Sequence, residues 1–139
     1  MKDASVRRLS SLHAALFSLT GGRLGSRLVD NDMLLLTTVG ASTGQDHTVP
    51  LLYFEHEGAL VVVASYGGRP DHPQWYKNLL ADPRARAQIG NDSFLVESQV
   101  AAPEERSMLW TRVVDAYDGY AVYQSRTDRV IPLVLLRRR

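Results

Sequence analysis

Apolar side chains recur at Val6, Leu9, Leu12, Leu16 and Leu19, with Ala15 and Phe17 beside them. Spacings of three and four residues predict an amphipathic helix over about residues 5–19, which Gly21 and Gly22 end. The pattern then changes period. Met33 to Val39 is an unbroken apolar and β-branched run, which predicts a strand buried on both faces. Thr48 to Phe54 predicts a second strand, and a hairpin about His56-Glu57-Gly58 leads into a third at Ala59 to Ala64. Pro73 to Ala81 predicts a short helix stopped by Asp82-Pro83, with Asp71 or His72 as its cap. Arg84 to Ile89 and Ser93 to Ala101 predict a hairpin about Gly90-Asn91-Asp92. Pro103 to Tyr117 predicts a helix with Met108, Leu109, Val113, Val114 and Tyr117 on its apolar face, and Val130 to Leu136 a last strand. Two hairpins without regular βαβ alternation disfavour a doubly wound sheet. The expected class is α+β, mainly β: about six mostly antiparallel strands curling into a barrel with flanking helices.

The 139-residue chain fits one domain, and its 45% hydrophobic and 22% charged residues are those of a folded protein. A formal charge of +1 argues against a nucleic-acid partner. There is no cysteine, which excludes disulfides and thiolate chemistry. No stretch is long and apolar enough to span a bilayer, and the first residues lack a signal core, so the expected location is cytoplasmic. Packing on its own domain and docking on a membrane or partner both remain open for the N-terminal helix.

The four histidines, His13, His47, His56 and His72, show no metal-ligand spacing. Nucleophile-elbow and phosphate-loop signatures are missing too. Two glycine loops follow predicted strands. Gly40-Ala41-Ser42-Thr43-Gly44 offers backbone N–H groups and hydroxyls, and reads equally as a hairpin turn. Ser65-Tyr66-Gly67-Gly68 opens into the Pro73 helix, either as a plain strand-to-helix loop or as an anion cradle. Tyr117, Tyr120 and Tyr123 repeat every three residues, which puts them near one face of a helical segment. They form either packing at a helix end or an aromatic wall, with Trp75 and Tyr76 as the opposite wall. Together these features outline a cleft for a planar, phosphate-bearing cofactor.

The residues also carry a resemblance. Leu34-Leu-Leu-Thr-Thr38, Gly40-x-x-x-Gly44 and Thr48-Val-Pro-Leu51 come first. Ala64-Ser65-x-Gly67-Gly68-x-Pro-x-His72-Pro73-x-Trp75-Tyr76-x-Asn78-Leu79-x-Ala81-x-Pro83 follows. Tyr120-x-x-Tyr123-x-x-Arg126-Thr127-Asp128-Arg129-x-Ile131-Pro132 completes the pattern, and Gly22 to Gly25 looks similar. From about residue 15 onward the chain resembles the deazaflavin-dependent nitroreductase family of the flavin/deazaflavin oxidoreductases.

That resemblance implies a split β-barrel of the kind that binds flavin mononucleotide (FMN). It implies coenzyme F420 as cofactor, with FMN as the alternative. Hydride would pass from reduced F420 to an electrophilic small molecule such as a quinone, enone or nitroaromatic compound. Gly40, Ala41, Ser42, Thr43 and Gly44, with His47, Thr48, Val49, Pro50 and Leu51, would hold the phosphate side. Ala64, Ser65, Tyr66, Gly67 and Gly68 would sit near the ring or phosphodiester, with Trp75 and Tyr76 lining the pocket. Tyr117, Tyr120 and Tyr123 would close the substrate side, and Ser65, Tyr120 and Tyr123 are the candidate proton donors. The chain departs from the family where basic residues are usual, at Ala41, Ser42, His47 and Tyr66; Arg69 and Lys77 are the available substitutes. A non-redox ligand-binding barrel is the competing reading. A monomer and a homodimer are both compatible with such barrels, and peripheral membrane contact through the N-terminal helix would suit a quinone.

Overall fold

The computed structural model describes residues 33–139. The expected helix at 5–19 and the Gly22–Gly25 segment lie outside the described residues. Seven strands form one antiparallel sheet within them: β1 (Met33–Val39), β2 (Asp46–Leu52), β3 (Phe54–His56), β4 (Ala59–Val63), β5 (Arg84–Ile89), β6 (Asp92–Val100) and β7 (Leu133–Arg138). Three α-helices accompany them: α1 (Gln74–Ala81), α2 (Pro103–Ala116) and α3 (Gly119–Ser125). The strand order is β2-β1-β5-β6-β7-β4-β3. The sheet curls until β2 approaches β4, giving the expected mainly-β split barrel. It has seven strands rather than about six, because the run expected to end at Phe54 breaks at Tyr53 and Phe54–His56 pairs separately with β4.

Period-two patterning builds two cores from the same strands. Leu60, Val62 and Ala64 near β4 and Val134 and Leu136 on β7 point into the barrel, against Leu34, Leu36, Ala87, Val96, Trp75 and Tyr76. The alternate residues Ala59, Val61, Val63, Leu133 and Leu135 pack outside it, under Leu109, Val113 and Tyr120 of the helices. β4 is therefore buried on both faces, as a continuous apolar run predicts. β1 is not: Leu34, Leu36 and Thr38 are buried, while Met33, Leu35 and Thr37 are half-buried. Its apolar run serves the barrel on one face and, through Met33, an open cleft.

Helix α2 starts with Pro103 in its first turn beside Glu104 and Glu105, which favours the positive end of the helix. Met108, expected on its buried face, is 56% exposed, because the contact stripe runs through Leu109 and Val113. The cap of α1 also differs from expectation. Its cap position is Pro73, with no side-chain cap bond. The Asp71 carboxylate accepts instead from the His72 N–H and from Lys77 Nζ at 2.8 Å.

Candidate functional site

A cleft of about 640 Å³ opens between the edge strand β2, the end of β4 and the two segments that follow β4 and α2. Val49, Pro50, Leu51 and Leu52 form one side, and Pro73, Gln74 and Trp75 close the α1 end. Pro50 is tolerated there because β2 is the last strand of the sheet. Val63, Ser65, Tyr66, Gly67 and Arg69 form the floor and rim, and Tyr117, Tyr120 and Tyr123 the far wall. Apolar and aromatic surface with a short polar seam is the composition of a small-molecule site.

The polar seam comes from an unusual backbone turn. Ser65 is right-handed (φ −77°), whereas Tyr66, Gly67 and Gly68 have φ of +51°, +65° and +79°. Left-handed backbone costs a non-glycine residue energy, so Tyr66 is held there by its surroundings. Arg129 holds the turn: its guanidinium donates to the carbonyls of Ala64 (3.1 Å), Ser65 (2.6 Å) and Arg69 (2.9 Å). It also meets His72 Nδ1 at 3.0 Å; since arginine only donates, that nitrogen is the acceptor. With the carbonyls engaged, the N–H groups of Ser65, Tyr66 and Gly67 have no partner among the described residues. Right-handed backbone followed by left-handed backbone turns successive N–H groups to one side, which forms an anion-binding concavity.

The tyrosine wall is equally fixed. The helix expected to end at Tyr117 does so, with Tyr117 as its cap in extended backbone; Tyr120 and Tyr123 lie on the separate α3, yet the three rings meet. Tyr117 and Tyr120 pack edge-on at 5.2 Å, and Tyr120 and Tyr123 at 6.0 Å. Gly119 is needed because any Cβ there would strike the Tyr117 ring. Gln124 ties α3 down: its amide donates to the Arg129 carbonyl at 2.7 Å and accepts from the Ile131 N–H and from Arg106. Burial drives the Tyr120 phenol far above its ordinary pKa, with Tyr123 and Tyr117 adding to it. Hydrogen bonding to Tyr123 raises the Tyr117 phenol, assisted by repulsion between the two phenolates and by burial. Both groups therefore keep their protons at neutral pH.

Of the expected site residues, the cleft brings together Val49, Pro50, Leu51, Ser65, Tyr66, Gly67, Trp75, Tyr117, Tyr120 and Tyr123. Ala64 and Tyr76 point into the barrel core instead. Gly68 is buried against Tyr123, whose carbonyl a Cβ would hit. Thr48 bonds the Thr37 hydroxyl at 2.7 Å. His47 lies against Gly40, and residues 40–44 close on themselves outside the cleft. Gly40 N–H bonds the Gln45 carbonyl, Gly44 N–H the Gly40 carbonyl, and Ala41 N–H the Asn78 side chain. Met33, Leu52, Val63, Pro73 and Gln74 line the cleft without having been expected. Leu52, Val63 and Gln74 adjoin expected residues along the chain, whereas Met33 and Pro73 do not. The organising residue Arg129 stands in the quoted C-terminal motif, but nothing local reveals its role, because its partners lie about 60 positions away.

A sequence model of the family described as F420H(2)-dependent quinone reductase matches residues 9–138 of the chain. An F420H(2)-dependent quinone reductase of Mycobacterium tuberculosis is 39% identical over 137 residues, covering 95% of this chain and 91% of that protein. A solved F420-H2 dependent reductase, FDR-A, superposes with a TM-score of 0.69 at 39% identity, covering 76% of this chain and 94% of the other. A solved chain described as a domain-swapped dimer gives the same TM-score and identity over 76% of this chain and 80% of its own.

Proposed function

The chain belongs to the F420H(2)-dependent quinone reductase family, and we propose that it passes hydride from reduced F420 to a quinone in the cleft between β2 and the tyrosine wall. The observation that carries this reading is the cleft itself: about 640 Å³, aromatic on two sides, with one seam of unpartnered N–H groups. A planar tricyclic ring with polar edges fits that composition.

Val49, Pro50, Leu51 and Trp75 would cover the ring from water, and the Ser65 hydroxyl with the Ser65, Tyr66 and Gly67 N–H groups would meet its polar edge or anionic group. Bound reduced F420 supplies the hydride; the protein supplies position and a hydrogen bond. A quinone that accepts a hydride on oxygen or carbon acquires a negatively charged oxygen. The Tyr120 phenol, kept protonated by burial, would donate a hydrogen bond to that oxygen, which takes its proton from water, and Tyr117 and Tyr123 would orient the acceptor ring. Among the described residues no helix is long and apolar enough to cross a membrane.

The test is a fluorescence titration with F420 beside FMN, followed by oxidation of the reduced coenzyme by a model quinone. Saturable quenching by F420 with quinone-dependent turnover is expected. A tightly held apolar ligand in the purified protein, with no turnover, would instead establish the non-redox binding barrel.

A further inference from the structure

Among the described residues the cleft has a single charged lining residue, Arg69. Among the described residues the other cations near it are engaged elsewhere. Lys77 pairs with Asp71 at 2.8 Å. Arg129 is turned to backbone carbonyls and His72. Arg126 lies over the Tyr123 ring and reaches the Gly67 carbonyl at 3.4 Å. The Arg69 guanidinium has no acidic partner among the described residues. It rests 4.6 Å above the Tyr66 ring, which is itself 42% exposed at the rim.

Both residues of that stack are held at their backbone. The Arg69 carbonyl is fixed by Arg129, and Tyr66 stands at φ +51° in the left-handed turn. An arginine on an aromatic face is pre-oriented and still keeps its donor edge free, so it can take an oxyanion in a forked bond. The same rim carries the unpartnered N–H groups of Tyr66 and Gly67.

We infer that Arg69, presented on the Tyr66 ring, is the residue by which this protein selects an anionic coenzyme, gripping a phosphodiester or carboxylate oxygen outside the ring-binding part of the cleft. This rests on the hydride-transfer reading above. Arg69 does not touch the reacting atoms; it sets affinity and the choice between charged and uncharged deazaflavins.

The full chain and its Arg69→Ala and Arg69→Lys variants are titrated by fluorescence with three probes. These are the deazaflavin riboside without phosphate, the coenzyme with its phosphodiester but no glutamates, and the complete coenzyme. Arg69→Ala is expected to raise Kd for the charged probes about tenfold and to leave the riboside unchanged, the effect of one charge-assisted contact. The loss shrinks at high salt, because an exposed charge pair is screened within about 8 Å at physiological ionic strength. Arg69→Lys keeps the charge without the stacked fork and falls between. A loss already complete with the phosphodiester probe assigns the contact to phosphate; one confined to the glutamylated form assigns it to the carboxylates. Equal Kd for all probes in wild type and Arg69→Ala, or an equal rise including the riboside, overturns the inference. A wild type that binds none of the three overturns the hydride-transfer reading itself.

Discussion

The two glycine loops look alike in sequence and do opposite things in the fold. Gly40 to Gly44 turns β1 into β2 and commits the N–H groups of Gly40, Ala41 and Gly44 to Gln45, to Asn78 of α1 and to its own Gly40 carbonyl. Ser65 to Gly68 has its Ser65 carbonyl held by Arg129 and its Gly67 carbonyl reached by Arg126, and its Ser65, Tyr66 and Gly67 N–H groups have no partner among the described residues. Both have left-handed glycines, so glycine content marks where a chain turns but not where it binds. The difference lies in the partners. A loop that spends donors on its own packing has fewer for a ligand, and a loop whose acceptors are held from behind keeps its donors.

The sharpest way to break that comparison is to add one methyl group to each loop. Gly68 combines φ +79° with a position where a Cβ would overlap the Tyr123 carbonyl, while Gly44 has φ +72° in open space. Gly68→Ala is expected to cost about 3 kcal/mol and Gly44→Ala about 1, because only the first adds a clash with backbone to the dihedral strain. Denaturant midpoints with unchanged slopes would measure both. Equal costs would mean that the Gly68 contact with α3 relaxes freely, and the cleft floor would then not be rigid.

Asn78 asks the same question of the first loop. It is buried, donates to Thr38 Oγ1 at 3.0 Å, and accepts from the Ala41 N–H and from Gln74 Nε2, both at 2.9 Å. Asn78→Ala leaves the Ala41 and Thr38 groups without a partner and is expected to cost about 2 kcal/mol. Coenzyme Kd should stay within about twofold, since a tenfold change would already be about 1.4 kcal/mol of binding. A large fall in affinity at unchanged stability would show that the first loop belongs to the site after all.

The barrel was largely legible because it is local patterning. Period-two runs, Gly90-Asn91-Asp92 and Pro103 each encode their element within a few residues, and the chain folds accordingly. The errors arose where tertiary context decides. β1 reads as doubly buried because Leu35 is as apolar as Leu34, and only the fold leaves one face open. Tyr76 reads as a wall beside Trp75, but neighbours on a helix point about 100° apart: both pack into the barrel core, and of the two Trp75 alone also lines the cleft. Gly40 to Gly44 reads equally as a turn and as a phosphate loop, because no local pattern reveals that Asn78 holds the Ala41 N–H.

Arg129→Gln tests the second loop from behind. One amide cannot serve three carbonyls and an imidazole, so the turn loses its fixed left-handed shape. Coenzyme Kd is expected to rise about fivefold, about 1 kcal/mol of lost pre-organisation. The fold should survive, because both barrel cores lie elsewhere. Unchanged affinity would show that the glycine pair alone sets the turn.

The smallest effect is a pH dependence that belongs to the second loop. Burial lowers the His72 pKa below its usual 6.5, with Arg129 and Lys77 adding to the shift and Asp71 opposing it. His72 Nδ1 accepts from Arg129 only while it is unprotonated. As the pH falls, the unfolded chain therefore takes up the proton before the folded one does. Stability present above pH 6.5 is lost as the pH drops from there through the lowered folded value. His72 is partly exposed, so screening limits the loss to about a few tenths of a kcal/mol. Melting of the wild type and of His72→Gln at pH 7.5 and 5.5 isolates it, since the remaining histidines are common to both. The wild type should lose more on acidification than His72→Gln, whose side-chain oxygen can still accept from Arg129 at either pH. Parallel losses would mean that Arg129 holds the turn through the three carbonyls alone, with the imidazole a bystander.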